Sequence, residues 1–346
     1  MGQADGTVST ISSNVDPPSS TPFVPYTQNP PGMARFVTTQ AGGSEVSLWA
    51  YTTTGYLAVR WWDGSVGIYG DGYNYNIILA ANATPASGPW SGNSPKEFYA
   101  WSCNSATDAA QNGDITYLDL WYRNLAQADV QGLSELTSLC LGGNHLRSIN
   151  LTGCTSLIGL NLTDTANLVS LDITPCTSLE YLYAGSSALS SVYLQGTPTL
   201  IEVELYNTQI TNLDLTGLPN LQYLDVSDTQ LAEIDLSAVP LMEGLDLTNC
   251  QLTSLDLSHC HHLRWCNAQN MALESVIATG VSGLGGKCWL AFNNNNLSAT
   301  ALDAFFTSLS AFTGFKSNIG VYGNPGSCTC DPGIANAKNW YVYTGC

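Results

Sequence analysis

The chain has 346 residues, with 9 Lys+Arg against 27 Asp+Glu and a formal net charge of −18. So acidic a polymer repels phosphate backbones, which excludes nucleic acid and anionic membrane surfaces as partners. No apolar run reaches the ~18 residues that a membrane span needs, so membrane insertion is not expected either.

Residues 1–34 hold no Lys or Arg, many Ser and Thr, and paired prolines. Such a segment buries too little apolar surface to fold alone, and it reads as an extended arm that needs a partner to become ordered. It lacks the basic n-region and apolar h-region of a signal peptide, so delivery by another route is expected.

Residues 35–110 read as short strands, among them "EVSLWAYTT", "YLAVRWWDGSVGIYG" and "KEFYAWSC". Asp63-Gly64, between two apolar alternations, is a hairpin signal, and a small β-sandwich is the economical reading.

From residue 111 to 297 a register takes over. The first apolar position of each unit falls at Ile115, Leu136, Leu157, Leu179, Leu200, Leu221, Met242, Leu263 and, after a stretched spacer, at Lys287, giving steps of 21 or 22 residues and a last step of 24. Each unit carries two L-x-L triplets, as in "IEVELYNTQITNLDLTGLPNL" at 201–221. Period-two alternation means a short strand with one face buried, and two strands plus two turns leave no room for a helix. Each unit is therefore one coil of a flattened parallel β-solenoid with two walls, whose core exists only because coils stack. A small residue follows the first triplet at Asn144, Thr165, Ser187, Thr208, Thr229 and Cys250, then Met271 and Asn295, where polar side chains satisfy backbone groups at a buried corner.

The unit "LTSLCLGGNHLRSINL" at 136–151 matches L-x-x-L-x-L-x-x-N-x-L, so the repeats resemble leucine-rich repeats, and their length resembles the short bacterial type of BspA-like and internalin-like surface proteins. The resemblance covers about residues 115–310 and departs from the family where Thr, Ser, Cys or Met replaces the ladder Asn. "VRWWDGSVGIYGDG" resembles the W-G-D-G-bearing, PKD-like sandwich that precedes such repeats.

Residues 298–346 break the register and read as a C-terminal α/β cap. Leu302, Phe305, Phe306, Leu309 and Phe312 have helical spacing, and "NIGVYG" and "NWYVYTG" look like closing strands. A cap is required because open solenoid ends expose core and strand edges. Of the 11 cysteines, Cys154, Cys176, Cys250, Cys260 and Cys266 fall at core or corner positions, as small apolar residues. Cys328, Cys330 and Cys346 allow one disulfide tying down the C-terminus, with Cys330 and Cys346 as the pair. The fold class is thus mainly β: arm, small sandwich, leucine-rich-repeat solenoid and cap.

Chemistry is sparse. "HCHHLRWC" at 259–266 is the one metal-like cluster, and its histidines project from a turn in different directions, so no metal and no cofactor are expected. Glu202 and Glu204 share an exposed strand face but have no cleft, so no enzymatic activity is expected. The first wall offers a surface instead: Tyr117, Asp119, Trp121, Tyr181, Tyr183, Glu202, Glu204, Tyr206, Tyr223, Asp225, Trp265 and Asn267 interleave aromatics with acids and amides, a mixture that suits a glycan or a protein patch. The second wall, with Asn150, Asp172, Tyr193, Asp214, Asp235 and Asp256, reads as a solvated face. The layout of arm, sandwich and repeats is similar to that of phage structural proteins. It implies display on a virion as a capsid decoration or fibre, anchored to other virion proteins by the arm, with a host glycan or protein as partner. A bacterial surface or secreted adhesin is the alternative, and a subunit that self-associates through its arm is another.

Overall fold

The computed structural model describes residues 33–38, 46–52, 57–60, 66–69, 77–79, 96–105, 108–111, 115–281, 287–311 and 316–346. Almost all of the arm expected at 1–34 lies outside them. The chain divides into two compact units, Met1–Leu157 and Ile158–Cys346.

In the first unit, Met33–Thr38 lies between Lys96–Ser105 and Leu125–Asp129, antiparallel to both. Lys96–Ser105 also pairs with Leu57–Arg60, which in turn pairs antiparallel with Val66–Tyr69; Arg60 lies opposite Val66, one residue off the register of a two-residue turn at Asp63-Gly64, which itself lies outside the described residues. Val46–Thr52 pairs antiparallel with Ile115–Asp119, the first wall of the first coil. The next coil adds strands in parallel, Ser138–Cys140 on one wall and Ser148–Asn150 on the other. Both walls of the first coil are therefore hydrogen-bonded on their upstream side by antiparallel strands, which removes an edge that would otherwise template aggregation.

The second unit is a parallel β-solenoid. Its first wall includes Gly159–Asn161, Tyr181–Tyr183, Glu202–Glu204, Tyr223–Asp225, Gly244–Asp246, Trp265–Asn267, Trp289–Ala291, Ser317–Gly320 and Trp340–Tyr343, each in register with the next. The middle residue points inward: Leu160, Leu182, Val203, Leu224, Leu245, Cys266, Leu290 and Ile319 are all buried. Three-residue strands suffice because each coil borrows its neighbours' apolar surface.

The second wall differs from expectation. Strands form there at Ser170–Asp172 with Ser191–Tyr193 and at Ser254–Asp256 with Ser275–Ile277, but the L-x-L triplets at 213–215 and 234–236 form none. Leu215 and Leu236 remain buried all the same. Removal of the leucine from water, rather than ladder hydrogen bonding, holds this wall in place.

The corner after each first-wall strand has two layers. Asp164, Ser186, Asn207, Asp228, Asn249, Asn270 and Asn294 all have φ between 52° and 61°, a left-handed conformation that Asn and Asp tolerate best among non-glycine residues. Each turns its backbone N–H onto the next coil, as in Asn207 N to the Ser227 carbonyl at 2.8 Å. The following residue is the corner side chain found in the sequence, buried at Thr165, Ser187, Thr208, Thr229, Cys250 and Asn295 and half-buried at Met271. The hydroxyls of Thr165, Ser187, Thr208 and Thr229 each donate to a carbonyl three residues back, at 2.7 to 2.8 Å.

The cap builds two helices. α1, Ala299–Ser308, starts at Ser298, whose hydroxyl accepts from the Ala301 N–H, and it buries Leu302, Phe305 and Phe306. The helix ends at Ser308, and Leu309 is extended yet still buried; Phe312 lies outside the described residues. Lys338 Nζ donates to the carbonyls of Phe306, Thr307 and Leu309, satisfying acceptors that the last helical turn leaves orphaned. Lys338 follows α2, Pro332–Asn336. The disulfide corrects the sequence expectation: Cys346 bonds Cys328, not Cys330. Cys330 is a free thiol whose Sγ points back to the Ser327 carbonyl in the turn, while Cys328, two residues earlier, lies 5.6 Å (Cα–Cα) from the last residue of the chain.

Candidate functional site

Because side chains alternate along each strand, every first-wall strand turns its first and third residues outward. In the second unit this brings Tyr181, Tyr183, Glu202, Glu204, Tyr223, Asp225, Trp265 and Asn267 onto one face, with Tyr206 beyond the strand end. All are half-buried rather than free, since one coil shields the next. Tyr117, Asp119 and Trp121 occupy the matching positions in the first unit.

The face is pre-arranged. Tyr183 donates its hydroxyl to Glu202 (3.2 Å) and Tyr223 to Glu243 (3.0 Å), which also receives Arg264 at 3.5 Å. Burial first, then the Glu202 charge, pushes the Tyr183 hydroxyl up to about 12, so it stays a donor. Asn267 donates to Asp246 at 3.0 Å. Two rings are seated on glycines one coil away: a Cβ added to Gly244 would meet the Trp265 indole, and one added to Gly185 would meet the Tyr206 ring. In the first unit Trp121 lies in the same way over Gly142. A ring over a bare backbone lies flat and keeps one π face toward solvent.

Some of the acids have a second task. Asp119 accepts the Trp121 N–H at 3.2 Å and Asp225 the Ser227 N–H at 2.9 Å. On the second wall Asp172, Asp214, Asp235 and Asp256 do the same two residues on, at 2.8 to 2.9 Å. The row read as a solvated face is thus also a row of turn-closing acceptors.

Two carboxyls on the first wall and two on the second respond oppositely to pH. Burial, followed by Glu202 and Asp225, raises the Glu204 carboxyl above its ordinary 4.5. Burial also raises Asp225 above 3.8, with Asp246 and Asp228 adding to it against the opposing Ser227 hydrogen bonds. A carboxyl raised by folding favours the fold when protonated, so this contribution is full below the ordinary value and is lost as pH rises through the folded one. Asp214 and Asp235, lowered by their turn hydrogen bonds, contribute stability above 3.8 that is lost at lower pH. Mild acidification toward 4.5 is therefore expected to raise Tm before further acid lowers it. Glu204→Gln at neutral pH is expected to gain a few tenths of a kcal/mol after solvent screening, about 1 °C, readable by calorimetry.

Among the described residues no group of three or more His, Cys, Asp or Glu side chains could hold a metal ion, and His261 instead turns Nδ1 toward the Gly280 carbonyl at 3.3 Å. Among the same residues no helix is long and apolar enough to cross a membrane.

Sequence reasoning missed the end of this face. Trp289, Tyr341 and Tyr343 are 43, 46 and 44 % exposed, the Trp289 and Tyr343 ring centres are 5.9 Å apart, and Tyr341 meets Tyr343 edge-on at 4.6 Å. The signal was present: W-x-A follows Lys287 in register, and Y-x-Y lies in the closing strand.

No family model and no curated relative matches the chain. Solved structures resemble it in part. The functional domain of InlJ from Listeria monocytogenes, described as including a cysteine ladder, matches 60 % of this chain and 52 % of its own length at 19 % identity, with a TM-score of 0.40. The leucine-rich repeat domain of APL1B matches 54 % of this chain and 55 % of its own at 17 % identity and a TM-score of 0.47. Internalin C2 from Listeria monocytogenes matches 66 and 80 % at 20 % identity and 0.36. The match thus spans about half the length of the first two. The likeness is one of repeat architecture.

Proposed function

We propose that this protein is a non-catalytic recognition protein whose working surface is the first-wall face of the second unit, and that it takes a protein or peptide partner presenting Lys or Arg. The observation that carries this reading is the row Glu202, Glu204, Asp225 and Asp246 among Tyr181, Tyr183, Tyr223 and Trp265, in which burial and neighbouring acids raise the Glu204 and Asp225 carboxyls. A cation docked there relieves the repulsion among these acids, and pre-seated rings lose little entropy on binding, as hot-spot residues do. Display on a virion, with residues 1–34 as anchor to other virion proteins and the 35–110 region as a PKD-like spacer, is our reading of the layout. A bacterial surface is the alternative setting. Limited proteolysis of the arm, free against particle-bound, separates an anchor from a loose end.

The face is tested by panning the intact chain against a random peptide library. Enrichment of cationic, aromatic peptides is expected. Their affinity should fall at least tenfold in Tyr183→Ala, Trp265→Ala and the Glu204→Gln/Asp225→Asn pair, should stay unchanged in Tyr193→Ala on the second wall, and should weaken as pH drops through the raised carboxyls. Selected peptides indifferent to the first three substitutions would sink the reading.

A further inference from the structure

We infer that a second binding site, for a neutral saccharide, lies at the C-terminal end of the same sheet face, apart from the acidic rows. Trp289 and Tyr343 stand on strands separated by Ser317–Gly320, and their rings come together across it. The intervening residue in register with Tyr343 is Gly320, and its other neighbour is Ala291. Asn318 stands in register with Trp289 and Tyr341 on that strand, and past the bare Gly320 the Trp289 and Tyr343 rings sit 5.9 Å apart at a 36° tilt. That gap is too small to hold a guest between them, so with Tyr341 they form one continuous exposed platform. The apolar C–H face of a sugar ring is a natural guest for such a surface, which is amphipathic and costs little side-chain entropy.

A second observation points to the polar half of the ligand. Asn293 is 4 % exposed. Its Nδ2 donates to Gln269 Oε1 at 2.8 Å, but its Oδ1 has no hydrogen-bond partner. A Cβ built on Gly320 would come within 2.8 Å of that oxygen, so the orphan acceptor lies beside the bare position that the two rings flank. A buried acceptor left unpaired costs about 1–3 kcal/mol, and native proteins leave few of them. A ligand that brings a donor, a hydroxyl or an amide N–H, to the edge of the aromatic platform would satisfy this acceptor. A carboxylate or phosphate brings only acceptors and would add repulsion. An apolar ring face edged with hydroxyl donors and carrying no charge describes a neutral sugar.

The test uses the intact chain with chitohexaose, cellohexaose, maltohexaose and a galacto-oligosaccharide, followed by calorimetry and tryptophan fluorescence. At least one probe is expected to bind, with affinity reduced tenfold or more in Trp289→Ala, Tyr343→Ala and Asn293→Ala and unaltered in Tyr183→Ala, which separates this site from the peptide-binding face. Tyr343 is exposed, so its variant reports on the site even where loss of the buried Asn293 unfolds the coil. Binding by none of the four probes overturns the proposal, as does binding that survives both Trp289→Ala and Tyr343→Ala. A dimer in sedimentation velocity that Trp289→Ala dissolves would overturn it as well, by assigning the platform to a second copy.

Discussion

Asn295→Ala is expected to lower stability by about 3–5 kcal/mol, more than any corner threonine, because it strands several buried backbone groups at about 1–3 kcal/mol each. Asn295 Nδ2 donates to the carbonyls of Ala268 (2.8 Å) and Phe292 (3.1 Å), and its Oδ1 accepts from Leu273 and Met271, each at 3.2 Å. It joins two coils, whereas the Thr165, Thr208 and Thr229 hydroxyls donate to carbonyls of their own coil, Thr229 adding only a 3.4 Å contact to Cys250 Sγ on the next. The same bridging geometry occurs at Asn144, which reaches Leu120, Arg123 and Leu125, and at Asn324, which reaches Phe292 and Leu297. Asn295 and Asn324 close the irregular steps, 24 residues after Met271 and 29 after Asn295, where the regular register is lost. Asn295→Thr should recover only the bond within the coil and fall midway. Urea titration followed by circular dichroism measures both, and a cost under 1 kcal/mol for the alanine would refute the bridging account.

The second large effect is expected at Trp340. The side chain is wholly buried, and its Nε1 donates to the Ser310 carbonyl at 3.0 Å. Trp340→Ala should cost about 3–5 kcal/mol. Stability in stacked repeats is a sum of local and neighbour terms, so the loss should be confined to the end of the stack. Hydrogen exchange is expected to show Ser317–Gly320 and Trp340–Tyr343 losing protection while Tyr181–Tyr183 keeps it. Uniform loss across the second unit would contradict a local role for the cap. The Cys328–Cys346 bond limits how far the released strand departs: its 18-residue separation corresponds to about 3 kcal/mol of loop entropy.

The inward leucines were legible because two periods coincide on them, alternation within a strand and the 21-residue step between coils. Both periods also hold at 213–215 and 234–236, yet these triplets bury Leu215 and Leu236 without forming strands, because burial of one leucine per triplet does not by itself impose ladder pairing. Tyr341 and Tyr343 lie beyond the regular register, although their strand keeps it in space, whereas Trp289 stands in register with Trp265 and was readable. Choosing between Cys328 and Cys330 depends on which residue of a tight turn faces the chain end, and spacing does not encode that. The left-handed row from Asp164 to Asn294 sits one residue before the corner and was in principle readable from its Asn and Asp content. The candidate face was legible as a set of residues, but not the flat seating of its rings, since that depends on what lies one coil away.

That seating makes the surface inheritable only in pairs. Trp265 depends on Gly244, and Tyr206 on Gly185, each 21 residues earlier, so an alanine at either glycine edits the display without touching a displayed residue. Duplication or deletion of a whole coil keeps the core register, yet it gives the ring at the seam a new neighbour to lie on. A gain or loss of 21 residues should therefore be silent in folding and audible in recognition, letting the repeat number change while the binding face is rewritten only at the join.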